Sequence, residues 1–161
     1  MRTLTIESNG RIEKTAIYIN GEQIAGIKEL FLNLDEDGTF DAVIQYEGKD
    51  KIIYNKALFS DYLEQMKTRE PSFSDEEASE LQQLTIESDG EIENSVVLIN
   101  EEVAEGLVNV LIHIKAGANT EKSGFMGLFK GKQSLAEGTT FKVEATFRNE
   151  DDTLETERIF S

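Results

Sequence analysis

Cysteine and tryptophan are absent from the 161 residues of this chain, and proline and histidine occur once each, as Pro71 and His113. Without thiols there is no disulfide, no thiolate zinc site and no cysteine nucleophile, and a single imidazole cannot supply chemistry that needs two. Cations are scarce as well: 16 Lys and Arg stand against 32 Asp and Glu, a formal net charge of −16. Such a balance is ill suited to gripping nucleic-acid phosphates or an anionic membrane, so the composition predicts no direct nucleic-acid binding and no membrane contact. No apolar run approaches the roughly 20 residues of a membrane span, and Met1, Arg2, Thr3 and Leu4 do not open an apolar leader; both features predict a soluble, cytoplasmic protein. No cofactor and no catalytic or metal-ligating set is implied. What the chain does have is 39 % apolar residues, enough for a core at this length.

It also has an internal repeat. Leu4-Thr-Ile-Glu-Ser-Asn-Gly-Arg-Ile-Glu returns 80 residues later as Leu84-Thr-Ile-Glu-Ser-Asp-Gly-Glu-Ile-Glu. At the same spacing Ile19, Asn20, Glu22 and Gly26 return as Ile99, Asn100, Glu102 and Gly106. Phe40, Ala42, Ile44 and Tyr46 match Phe141, Val143, Ala145 and Phe147 at a spacing of 101, which places an insertion of about 21 residues in the second copy, within 115–139.

Both copies read as β. Leu30, Leu32 and Leu34 alternate with Glu29, Phe31 and Asn33, and Val110, Ile112 and Ile114 alternate with Asn109, Leu111 and His113, the period of strands with one buried face. The hairpin partner in the first copy sends Phe40, Ala42, Ile44 and Tyr46 to one side, after a turn at Asp35, Glu36, Asp37 and Gly38. Segments 16–19 and 96–99 are apolar on both faces and are expected in mid-sheet, covered on both sides. Asn20-Gly21 signals a type I′ hairpin; Glu101 replaces that glycine in the second copy, where a different turn is expected. Leu58, Phe59, Tyr62, Leu63 and Met66 predict one amphipathic helix over 56–67, with Asn55 as its N-cap. Segment 68–83 contains Pro71 and a capping box at Ser74 to Glu77, and reads as an acidic linker with a short helix. The fold expectation is therefore mainly β: two tandem homologous antiparallel sheet or sandwich domains, 1–67 and 84–161, with one amphipathic helix and an acidic linker.

Few motifs carry chemistry. Asn33 to Asp41 places oxygen ligands at alternate positions with Gly38 sixth, as in a calcium loop, but Ile44 stands where a closing Glu belongs, and a solvated hairpin turn is the better reading. Gly127 to Lys132 fails as a Walker motif at Met126 and Gln133, and Gly124-Phe-Met-Gly127 matches a KH loop only as a string. His113 occupies the polar side of a strand and matches Asn33, which makes it a sheet-surface residue. The insertion groups Phe125, Met126, Leu128 and Phe129 among Lys115, Lys122, Lys130 and Lys132. It reads either as a cover for the second sheet or as a mobile partner-binding or membrane-touching loop.

Charge is uneven: residues 70–114 hold twelve acids and no Lys or Arg. One reading is a solubilising coat, the other a carboxylate array that imitates spaced phosphates before a basic protein groove. The Leu-Thr-Ile-Glu-Ser-Asn/Asp-Gly phrase, followed by a strand ending Ile-Asn and a hairpin like that of 40–46, resembles small β-rich modules of bacteriophage and prophage hypothetical proteins, here in tandem. That resemblance implies a phage origin and a bacterial host cytoplasm, and it supplies no site. The functional expectation is a non-enzymatic inhibitor that engages a basic, nucleic-acid-binding protein of the host. Its partner-binding residues would be Glu87, Asp89, Glu91, Glu93, Glu101, Glu102 and Glu105, with Phe125, Met126, Leu128 and Phe129 as apolar anchor. The alternatives are a structural or assembly module of a virion or bacterial complex, with Phe31 and Leu111 offering a face for homo-oligomerisation, and a carboxylate-metal enzyme.

Overall fold

The computed structural model describes residues 1–115 and 139–160. These residues are mainly β, 55 % of them in strands of two antiparallel sheets. The first half contributes β1 (Arg2–Ser8), β2 (Thr15–Ile19), β3 (Glu22–Ala25), β4 (Ile27–Asp35), β5 (Phe40–Glu47), β6 (Ile53–Ala57) and β7 (Lys67–Thr68). After a short helix α1 (Asp75–Ala78), the second half contributes β8 (Gln82–Ser88), β9 (Val96–Ile99), β10 (Glu102–Val103), β11 (Leu107–Lys115), β12 (Thr140–Arg148) and β13 (Leu154–Arg158).

Strand order is β10-β9-β8-β1-β2-β3-β7 in one sheet and β13-β12-β11-β4-β5-β6 in the other. Each sheet is thus joined at its centre by matching strands of the two halves. In the first, Thr5 pairs with Thr85, Leu4 with Ile86 and Ile6 with Leu84; the Thr5 and Thr85 hydroxyls meet at 3.2 Å. In the second, Leu32 pairs with Ile112, Leu30 with Ile114 and Leu34 with Val110. Both registers are symmetric about residues 80 apart, so one approximate two-fold axis runs through Thr5/Thr85 and Leu32/Ile112. The expected separate sheets for 1–67 and 84–161 are corrected by this pairing. Its physical reason is that β1 and β4 would otherwise be edge strands with apolar inner faces, and the matching strand of the other half satisfies the backbone groups of each.

The expected alternation holds. Leu30, Leu32, Val110, Ile112 and Ile114 are fully buried, Leu34 is partly buried, and all face Leu4, Ile6, Ile17, Leu84 and Ile86 across the sandwich in one cluster. Outward lie Phe31 and His113, whose rings meet edge to face at 5.7 Å, and Glu29, 2.6 Å from His113 Nε2.

Local chemistry repeats in both halves. Ser8 Oγ accepts from Gly10 N–H and sits 2.8 Å from Thr15 Oγ1; Ser88 Oγ accepts from Gly90 N–H and sits 2.7 Å from Ser95 Oγ. Asn20 and Asn100 both lie at φ 52°, and their Oδ1 atoms accept from Thr3 and Gln83 N–H at 2.9 Å. Gly21 follows at φ 84° and Glu101 at φ 68°, so the second hairpin uses the same turn as the first, contrary to the expected difference. The phenylalanines match too: Phe40 and Phe59 lie 5.8 Å apart, Phe141 and Phe160 6.4 Å.

The amphipathic helix expected over 56–67 does not form. Lys56 and Ala57 belong to β6, paired with Ile44 and Val43. Arg2 then takes the carbonyls of Leu58 and Asp61 at 2.7 and 2.8 Å, and Asp61 Oδ2 accepts from Ala57 N–H, so the groups a helix would use are engaged elsewhere. Gln65 at φ 59° also breaks any helical run. Leu58 and Phe59 still reach the core, Leu63 and Met66 pack against it, and Tyr62 is exposed. The capping box at Ser74 is present and starts α1, the one α-helix among the described residues.

Candidate functional site

Comparison of the two halves locates the candidate site. On the outer face of the first sheet, residues of β2 and β3 are covered by 69–73. Arg69 N–H donates to Gln23 O at 3.0 Å, Gln23 Oε1 accepts from Ser72 N–H, and Gln23 Nε2 donates to Ser72 Oγ, both at 2.8 Å. Lys14 lies 5.8 Å from the centre of the Phe73 ring and 4.0 Å from Glu77. Beneath this strap Ala16 and Gln23 are buried, and Glu7 accepts from Gln83 Nε2 at 2.8 Å. Burial raises the Tyr18 hydroxyl pKa well above its ordinary range, with a hydrogen bond to Glu7 adding to it. The expected linker is therefore, along 69–73, a packed strap.

No such cover lies over the second half among the described residues. Val96, in the place of Ala16, is 41 % exposed, and Val103, in the place of Gln23, is 63 % exposed against 2 % for Gln23. Half-buried Leu98 stands between them, in register with Val103. Segment 96–99 is in mid-sheet, between β10 and β8 as expected, but among the described residues it is covered on one face alone, which corrects the expectation of cover on both.

Around these apolar side chains stand the acids singled out by sequence. Glu101 and Glu102 occupy the β9–β10 hairpin tip, while Asp89, Glu91 and Glu93 lie in the β8–β9 connection at the opposite end. Glu87 pairs across from Val96, and Glu105 follows β10. The two groups of carboxylates are about 13 Å apart along β9 by strand rise. Glu87 is half-buried and the others are exposed. Among the described residues, none of Glu87, Glu91, Glu93, Glu101, Glu102 or Glu105 forms an ion pair. Asp89 differs: Oδ1 accepts from Glu91 N–H and Oδ2 from Asn94 Nδ2, both at 2.9 Å. The Glu91 N–H chiefly, helped by Asn94, holds its carboxyl below the usual carboxylate range. Asp89 thus serves the turn. Phe125, Met126, Leu128 and Phe129 lie outside the described residues.

Sequence reasoning missed Val96 and Val103. Aligning the halves position by position gives the signal: an apolar residue on an edge strand where the other half has a buried, hydrogen-bonded Gln23.

Other candidates hold less. Asn33 and Asp35 Oδ1 both accept from Asn109 Nδ2 of β11 at 2.9 Å, and Asp37 Oδ1 accepts from Thr39 N–H, so these oxygens of the calcium-like segment are engaged by the neighbouring strand and by the turn. Among the described residues no group of three or more His, Asp or Glu could hold a metal, and no helix is long and apolar enough to cross a membrane. Matching clefts of about 360 and 220 Å³ open beside Gly10 and Gly90, the first lined by Lys142, Glu144 and Arg158, the second by Asp41, Val43 and Ser60. No family model, curated protein or solved structure matches this chain.

Proposed function

We propose that this chain is a non-enzymatic binding protein whose β8–β10 face engages a basic surface of a protein partner, as an inhibitor of a nucleic-acid-binding protein would. One observation carries this reading: among the described residues, carboxylates without ion pairs frame exposed valines on a face whose counterpart in the other half is covered. Carboxylates at both ends of the ribbon raise the association rate with a cationic partner and set its orientation, and the apolar strip between them contributes affinity that salt does not screen. On sequence grounds Phe125 and Phe129 add to the apolar part. We also read the matched halves as a tandem duplication, supported by the shared Ser–Gly, Asn and Phe–Phe contacts at equal spacings, and a phage origin remains what the sequence resemblance implies.

The test is retention of a basic protein from bacterial lysate at low and high salt, by the wild type and by a variant with Glu91, Glu93, Glu101 and Glu102 changed to Lys. The wild type is expected to hold a basic partner that high salt weakens, and the variant to lose it while staying folded. Equal retention by both makes the acids a solubility coat and ends the proposal. The second reading, an assembly module, rests on the edge of β13, which among the described residues pairs with no further strand and whose residues are all exposed. Glu155 and Glu157 on that edge oppose pairing with another copy, which favours the first reading.

A further inference from the structure

The sheet order gives the first half one strand more than the second. β3 and β10 are equivalent, yet β3 is flanked by β7, with Ile24 opposite Thr68 and Ala25 opposite Lys67, whereas among the described residues β10 ends the sheet. Val103 is in register with Leu98, and Ala104 N–H donates to Val97 O, so by the alternation of antiparallel pairing the N–H and C=O groups of Val103 point away from the sheet, while Glu105 lies in the turn that follows. In the first half the corresponding outward carbonyl, that of Gln23, accepts from Arg69 N–H. The chain after β7 then crosses the outer face, where Ser72 holds the Gln23 amide and where Ala16 and Gln23 are both buried.

We propose that the edge of β10 and the outer face formed by Val96, Leu98 and Val103 are a docking groove for an extended cationic and aliphatic segment of a partner protein, which adds to the sheet as an antiparallel strand where 67–73 lies in the other half. The inference rests on the binding reading above and names the partner's form. The strap supplies the template: an edge strand followed by a chain crossing the face. The exchange of Gln23 for Val103 sets the chemistry, because an amide that holds the Ser72 backbone is replaced by a group that can accept only an apolar side chain. Glu87, Glu101, Glu102 and Glu105 flank the groove, and a Lys or Arg beside the aliphatic positions would meet them. A second copy of this chain is disfavoured as occupant, since it would bring Glu102 and Glu105, or Glu155 and Glu157, against the same acids.

The experiment uses the full chain and a synthetic peptide of residues 63–73 carrying Glu64→Lys, Glu70→Lys and Ser72→Val, followed by fluorescence anisotropy and by backbone amide shifts. Saturable binding is expected, weakened by salt, with shifts concentrated at 96–105. Val103→Pro, which removes the outward N–H on an edge strand, and Val103→Lys, at a site exposed enough to keep the fold, should each weaken it roughly tenfold or more. No binding, or shifts elsewhere, overturns the inference. So does protection of the Val103 amide without peptide, whether in a dimer, where a second copy holds the groove, or in a monomer, where the chain's own 116–138 does. If Val103→Pro and Val103→Lys leave capture of a basic lysate protein intact while charge reversal abolishes it, strand addition fails and the binding function stands. If charge reversal also changes nothing, the function itself fails.

Discussion

Glu101 occupies a left-handed backbone position that Gly21 fills in the matching turn, φ 68° against φ 84°. A side chain there costs about 1 kcal/mol or somewhat more relative to glycine. Glu101→Gly is therefore expected to stabilise the protein by about 1 kcal/mol in urea denaturation, while removing one acid from the candidate site. Asn100 tolerates the same region because its Oδ1 accepts from Gln83 N–H, and Asn100→Ala should be destabilising through loss of both that bond and the tolerance for positive φ. Asp89 makes a pH-dependent prediction. Its carboxyl is held below its unfolded value by the Glu91 and Asn94 donors, so its stabilising contribution is complete above the ordinary Asp range and disappears as pH falls through the lowered folded value. Wild type and Asp89→Asn should accordingly differ in denaturation midpoint at neutral pH, and the difference should close on acidification. The residues of these turns were legible because Asn, Gly and Ser have local roles; the turn at Glu101 was not, because a position that favours glycine also admits another residue at a modest cost.

Among elements, the central strands were the most legible, since strict alternation of Leu30, Leu32 and Leu34, and of Val110, Ile112 and Ile114, admits one burial pattern. Leu32 and Ile112 face each other on the approximate axis and are fully buried. Leu32→Ala or Ile112→Ala should each cost about 2–5 kcal/mol, measured by denaturant unfolding, and the double variant should deviate from additivity because one cavity is shared. The 56–67 segment was illegible for the opposite reason. Its apolar spacing fits a helix, but Arg2, distant in sequence, takes the carbonyls of Leu58 and Asp61, and periodicity carries no record of a tertiary donor. The candidate site divides in the same way: its acids were visible as a charge run, whereas the exposure of Val96 and Val103 follows from which half the strap covers.

For the whole molecule, repetition was readable and its consequence for assembly was not, because a repeat is equally compatible with two separate sheets and with two shared ones. Shared sheets predict that fragments 1–81 and 82–161 are each unfolded or aggregated alone and regain the native spectrum when mixed, as followed by circular dichroism and amide shifts. Two fragments that fold independently would contradict the pairing of β1 with β8 and β4 with β11. The symmetric register about Leu32 and Ile112 has a further effect during synthesis. When the first half leaves the ribosome, β8 follows within about 7 residues, roughly a second, but β11 is complete only about 34 residues later, so β4 presents an unpaired edge for about 2–7 seconds at 5–20 residues per second. Since β4 is built to pair antiparallel with a near copy of itself, the nascent first half of a neighbouring chain on the same message can take the place of β11. Crowded translation should therefore yield swapped dimers, and slower initiation, which spaces the ribosomes, should yield monomers.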